Sequence, residues 1–176
     1  MIPVDISIKI ADLSSHAFID LVNSHNALML EHSPPESSHA LLIDGLKASN
    51  IFVWSMFDFN TLVGCGALKI LPPLNGEIKA MHTISSRRGE GLGRRMLRHL
   101  IEEARKREMR AVSVETGSHP GFLPARKLYE ATGFHYCGPF GDYKADPNSV
   151  FMSLKIGDGC QMFQTTSGLG TIREPK

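Results

Sequence analysis

Ile2, Val4, Ile6, Ile8 and Ile10 alternate with polar residues, the period of a strand with one buried face. After Ser14 and Ser15, which can cap a helix, the apolar positions Phe18, Leu21, Val22, Leu28 and Met29 recur at helical spacing and stop before Pro34 and Pro35. Glu36–Ser49 predicts a second short helix with Leu41, Leu42 and Leu46 inward, because proline suits a helix entrance and breaks an interior. Ile51–Phe59 and Leu62–Leu71 predict two strands joined as a hairpin at Asn60 and Thr61. Pro72–Gly76 reads as the next turn, and Glu77–Ile84 as a strand running straight into a glycine-rich segment. A helix over Leu92–Glu108 carries Met96, Leu97, Leu100, Ile101 and Ala104 on one face and Arg95, Arg98, Glu102, Glu103 and Arg105 on the other. Ala111–Thr116 is a further strand, followed by a loop with Gly117, Pro120 and Gly121, a helix over Leu123–Ala131, and strands at Phe134–Cys137 and Val150–Ile156. Interleaved strands and helices imply a mixed α/β sheet within a single domain over residues 1–157, and the Gly/Thr/Ser-rich residues 158–176 are expected to form a loosely held tail.

Composition narrows the classes of partner. The 176 residues are 42% hydrophobic, enough for one core. Nineteen Lys and Arg against eighteen Asp and Glu leave a net charge of +1, so bulk charge points to neither nucleic acid nor anionic membrane. Apolar runs fall far short of the ~20 residues that span a bilayer. Met1–Lys9 lacks a basic-then-apolar leader, and Cys65, Cys137 and Cys160 are odd in number without a CxxC spacing. The expectation is a reducing cytoplasm, with neither a disulfide framework nor a zinc site. His25, His32 and His39 recur every seven residues, but the prolines interrupt any shared helix, so no metal is expected.

Chemistry concentrates between Glu77 and Leu97. Gly89, Gly91 and Gly93 alternate immediately before a cationic helix, so main-chain N–H groups and the positive end of the helix dipole can converge on one anion, such as a pyrophosphate. A Walker A loop needs Lys-Ser/Thr after its last glycine, whereas Gly93 precedes Arg94 and Arg95. A dinucleotide fingerprint has GxGxxG spacing near a first strand, not GxGxG midway along the chain.

Arg88-Gly89-Glu90-Gly91-Leu92-Gly93 resembles the Arg/Gln-x-x-Gly-x-Gly/Ala signature of the GCN5-related N-acetyltransferase (GNAT) superfamily. Met81-His82-Thr83 falls where that family has its central strand, and Ala125 to Phe134 is similar to its Ala-x-x-Leu-Tyr-x-x-x-Gly-Phe segment. The likeness covers about residues 4–156 and is nearest a bacterial branch of small, poorly characterised acetyltransferases.

The resemblance implies a mostly antiparallel mixed sheet of about six to seven strands flanked by about four helices. It implies acetyl-coenzyme A as the acetyl donor. Arg88, Gly89, Gly91, Gly93 and Arg94 would hold it, with Glu90 and Leu92 contributing main chain. Met81, His82 and Thr83 fall on the strand whose exposed main chain would pair with the pantetheine, and Arg95 is assigned to a solvated helix face. The implied reaction is direct attack by a primary amine of a small metabolite in a ternary complex, without a metal. Tyr129 would protonate the departing sulfur, Glu115 would line the acceptor pocket, and Glu77 would serve as a water-relayed base. Strand parity puts Glu77 and His82 on opposite faces, and His82 is not assigned as a catalyst. His32, Ser33, Glu36, His39, Phe140, Asp142 and Tyr143 border the expected acceptor region. Two departures stand out: Phe122 occupies the place of a common family asparagine, and the connection from Glu115 to Phe122 is long. Acetylation of a protein or peptide, or cofactor sensing without catalysis, are the alternative functions. Neither nucleic acid nor membrane is an expected partner, and a homodimer is compatible with the family pattern.

Overall fold

A computed structural model of the chain describes residues 5–32, 34, 37 and 39–157. Ile2 and Val4 of the first predicted strand, Ser33, Glu36, Cys160 and the expected tail lie outside the described residues. In chain order the elements are β1 (Ile6–Ile10), α1 (His16–His32), α2 (Ile43–Leu46), β2 (Ile51–Asp58), β3 (Thr61–Leu71), β4 (Asn75–Thr83), α3 (Leu92–Lys106), β5 (Ala111–Gly117), α4 (Leu123–Glu130), β6 (His135–Cys137) and β7 (Ser149–Lys155). The strands form one seven-stranded sheet ordered β1-β2-β3-β4-β5-β7-β6. Every pairing is antiparallel except β4 with β5. The helix α3 that links those two supplies the crossover a parallel pair requires.

The amphipathic pattern of α3 is realised: Met96, Leu97, Leu100, Ile101 and Ala104 pack on Val63, Leu68, Ile78, Val112 and Val114 of the sheet. Gly66 lets them approach, since a Cβ there would lie 2.8 Å from Met96 Cγ. Burial of a leucine as complete as that of Leu97 and Leu100 is worth roughly 1.5–3 kcal/mol. On the other face, Phe18, Leu21 and Val22 of α1 and Leu46 of α2 cover Val53, Cys65 and Ala67. At the start of α1 the Asp12 carboxylate accepts from Ser14 N at 2.9 Å and Ser14 Oγ at 2.6 Å. The carbonyl of Ser15 takes the N–H of Ile19.

The second predicted helix is corrected. Among the described residues of that stretch the α-helix is confined to Ile43–Leu46, and Leu42, extended at φ −71°, ψ 167°, is exposed rather than inward. The physical reason lies in Asn26 of α1, whose Nδ2 donates to Leu41 O at 3.3 Å, so that carbonyl is engaged outside any helical ladder. The β2–β3 loop also moves by one residue: Asp58 pairs with Thr61 around Phe59 and Asn60, with Phe59 at φ 52°.

Two irregularities in β4 prepare the site. Ala67 pairs with Lys79 but Cys65 pairs with His82, so β4 carries one extra residue, taken up at Ala80 with φ 50°. This bulge overturns the parity expectation: Glu77, Lys79 and His82 oppose Lys69, Ala67 and Cys65 and share the face toward α1. In addition, the β4–β5 register stops at Ile78 and Val114, although β4 continues to Thr83 and β5 to Gly117. The two strands part there and leave their facing main chain outside the sheet ladder.

Candidate active site

The glycine segment leaves β4 through a single 3₁₀ turn at Ser85–Arg87 and enters α3 at Gly91. Gly89 and Gly91 have φ of 83° and 81°, a conformation costly for any side-chain-bearing residue, and a Cβ at either would meet no atom within 4 Å. The loop therefore presents main chain to open space at a helix N-terminus. Arg87 fixes its back: Nε donates to Glu90 Oε2 at 2.7 Å and a terminal nitrogen to Asp58 Oδ2 at 2.8 Å, tying the loop to the end of β2. Glu90 thus turns its side chain into this ion pair, and Arg88 Nε lies 3.4 Å from Thr83 O. Arg95 donates to Ile6 O of β1 at 2.8 Å, whereas Arg94 lines the groove in front of the loop.

That groove, about 740 Å³, brings together every cofactor residue expected from the sequence, from Met81, His82 and Thr83 to Arg88–Arg94. Its far wall is Phe122, Ala125 and Tyr129. Phe122 lies so tightly against Gly117 that a Cβ on that glycine would be 2.2 Å from the ring. The long connection before α4 is held by Arg126, which donates to Gly117 O at 2.6 Å and to His119 O at 3.2 Å.

Tyr129, Met81 and His25 also border a small cavity of about 120 Å³ at the parting of the strands, together with Glu115, Lys79 and His39. Lys79 and His39 in turn border an open cavity of about 860 Å³ lined by Lys69, Glu77, Phe140 and Tyr143. Three spaces thus adjoin through shared walls, the smallest of them, the neck, beside Tyr129 and Glu115.

The groups at this neck differ in how firmly they are held. Tyr129 is 5% exposed against Phe134, and burial, then the nearby Glu115 charge, raise its phenol above the ordinary range. Glu115 accepts from Ser149 Oγ at 2.7 Å, and burial raises its carboxyl above the ordinary glutamate value. Glu77, 2% exposed, accepts at Oε1 from Tyr143 OH at 2.5 Å and from Lys79 Nζ at 2.9 Å. The Tyr143 hydroxyl also accepts from Lys79 Nζ at 2.7 Å, closing a triangle.

Three residues gain importance beyond the sequence reading: His25, Lys79 and Tyr143. His25 and His82 meet edge to face with centroids 5.3 Å apart, and burial holds both down at about 4, with His82 and Arg88 as the respective lesser causes. Buried His25 Nδ1 has no hydrogen-bond partner among the described residues. Only the bulge reveals that His82 faces α1. For Lys79 the available signal is the alternation of Glu77 and Lys79 about Ile78 in the first half of the strand. The heptad-spaced histidines diverge, His32 stacking on His119 and His39 meeting Tyr143 edge to face. Among the described residues no group of His, Cys, Asp and Glu is placed to hold a metal, and no helix is long and apolar enough to cross a membrane.

The sheet has the fold of the acyl-CoA N-acyltransferases, and the chain belongs to the acetyltransferase (GNAT) family, whose profile matches residues 18–134, which makes it an acyltransferase. It is 50% identical over 149 residues to the uncharacterized N-acetyltransferase YsnE of Bacillus subtilis, covering 85% of this chain and 99% of that one. It is 35% identical over 141 residues to the IAA acetyltransferase of Azospirillum brasilense, covering 80% and 91%. Its fold is shared with a Bacillus subtilis acetyltransferase solved in complex with CoA, at a TM-score of 0.63, 17% identity and coverage of 86% of this chain and 99% of that one.

Proposed function

We propose that this protein transfers the acetyl group of acetyl-coenzyme A to the primary amine of a small molecule within a ternary complex. The observation that carries the reading is the open cradle at Gly89 and Gly91, which leads along the parted strands to Tyr129. The residues present suit the donor: main-chain N–H groups from Gly89 to Gly93 would hold its pyrophosphate, with Arg88 and Arg94 beside them, and the main chain of Met81–Thr83 would pair with its pantetheine amides. When bound, acetyl-coenzyme A supplies an activated thioester carbonyl and a thiolate leaving group.

The amine enters from the opposite cavity and meets the thioester at the neck. Its nitrogen bonds to the acetyl carbon as the carbon–sulfur bond breaks. One amine proton goes to Glu115 and the Tyr129 proton goes to sulfur, which leaves an amide and a free thiol. The two transfers assist one another. Once Glu115 is neutral, a charge that holds the Tyr129 proton in place is gone, so the phenol becomes a stronger acid when the sulfur needs it. A second proton exchange, from Glu115 to Tyr129 through water, restores the starting state.

This division favours Glu115 over Glu77 as the base. Glu77 spends its carboxylate on Tyr143 and Lys79, and its role becomes that of holding the acceptor cavity in shape. Thiol release measured with acetyl-coenzyme A and a panel of amines tests the reading; coenzyme A binding without release by any amine would favour a sensor instead.

A further inference from the structure

Where the sheet lines the cavity on the acceptor side, two lysines stand beside one carboxylate. Lys69 and Lys79 flank the single buried carboxylate of Glu77 from the same face of the sheet. Lys79 Nζ gives one proton to Glu77 and one to Tyr143 OH, which leaves one N–H. Lys69 Nζ stands 3.9 Å from Glu77 Oε2, beyond hydrogen-bond length, so among the described residues its side-chain donors are unspent. The other charged residues lining the cavity, Asp142, Lys144 and Asp146, belong to the loop before β7 and not to the sheet, and Asp146 accepts from Asn148 N of the same loop at 2.7 Å.

From this arrangement we infer that the acceptor carries an anionic group, carboxylate or phosphate, which Lys69 and Lys79 bind while its amine reaches Glu115. Lys79 borders both the open cavity and the small one containing Glu115 and Tyr129, so one compact molecule spans the two positions. The cavity at the neck, about 120 Å³, is the smaller of the two, which places the amine there and the anionic group in the open cavity. An amino acid, β-amino acid or amino phosphate fits this pattern. An internal peptide does not, because its first residue ends in an uncharged amide. The inference rests on the proposed acetyl transfer and specifies its acceptor.

The experiment compares matched pairs in the thiol-release assay: common L-amino acids and β-alanine against their carboxamides, and O-phosphoethanolamine against ethanolamine. Coenzyme A binding is measured in parallel by calorimetry. For at least one pair, kcat/KM for the anionic member is expected to exceed that of the neutral member by about 10–100-fold, the range for a hydrogen bond to a charged group. The acid arm or the phosphate arm identifies the anion. Lys69→Gln should collapse that ratio mainly through acceptor KM, and Lys69→Arg should restore it. Equal rates, preference for the carboxamide, a ratio that survives Lys69→Gln, or turnover of neutral amines with none of any anionic amine would overturn the inference alone. Failure to bind coenzyme A, or binding without turnover of any amine, would remove the transfer reading with it.

Discussion

The Tyr143 hydroxyl donates to Glu77 Oε1 at 2.5 Å across a sequence separation of 66 residues, fastening the loop before β7 to the middle of β4. Burial, then the Glu77 charge, raises the Tyr143 phenol, so the donor proton stays in place. Tyr143→Phe leaves Glu77 with Lys79 but frees the loop. Urea denaturation should show a loss of about 1–3 kcal/mol, the range for a buried polar group deprived of its partner. Acceptor KM should rise while the KM for acetyl-coenzyme A stays close to that of the wild type.

Tyr129→Phe keeps the ring against Phe134 and removes only the proton. Loss of a general acid lowers kcat by about 10²-fold or more. Calorimetric affinity for acetyl-coenzyme A should change little; an equal loss in both would mean that the ring, not the hydroxyl, matters.

Glu115 works only when ionised. Its carboxyl lies above 4.5, so kcat/KM should fall with acid at a pH above that value, and the fall should have a one-proton slope. In Glu115→Gln that limb should vanish from the pH–rate profile along with most of the rate.

His25 and His82 make stability depend on pH. In the unfolded chain each imidazole binds its proton near 6.5, but in the folded chain only near 4. The unfolded state therefore takes up more protons between these values. Stability is complete above 6.5 and declines as the pH falls toward 4. Melting curves over this window should show Tm dropping in the wild type and dropping less in His25→Gln.

Much of this was legible in the sequence because it is local. The glycine loop, the stripe on α3 and the Tyr129 segment each declare themselves within about twenty residues, and the structure brings Arg88–Arg94 and Tyr129 to one groove. What escaped depends on distant partners. A bulge at Ala80 has no sequence mark, since alanine is an ordinary strand residue, yet it turns His82 toward α1. Leu42 reads as core by composition and is exposed because Asn26 draws the Leu41 carbonyl out of a helix. Glu77 reads as a free base until Tyr143 and Lys79 are seen upon it. The placement of β7 between β5 and β6 is likewise a matter of pairing that periodicity alone does not specify.

The central claim is that the main chain around Gly91 holds the diphosphate and delivers the thioester to Tyr129. A crystal structure with coenzyme A tests it most directly, supported by calorimetry on Gly91→Val. The account predicts phosphate oxygens on the amides of Gly89–Gly93 and sulfur beside the Tyr129 hydroxyl. It also predicts at least about tenfold weaker binding in Gly91→Val, because a left-handed backbone costs a side-chain-bearing residue roughly 1–2 kcal/mol and its branch would fill the open cradle. Phosphates bound elsewhere, or unchanged affinity in that variant, would contradict it.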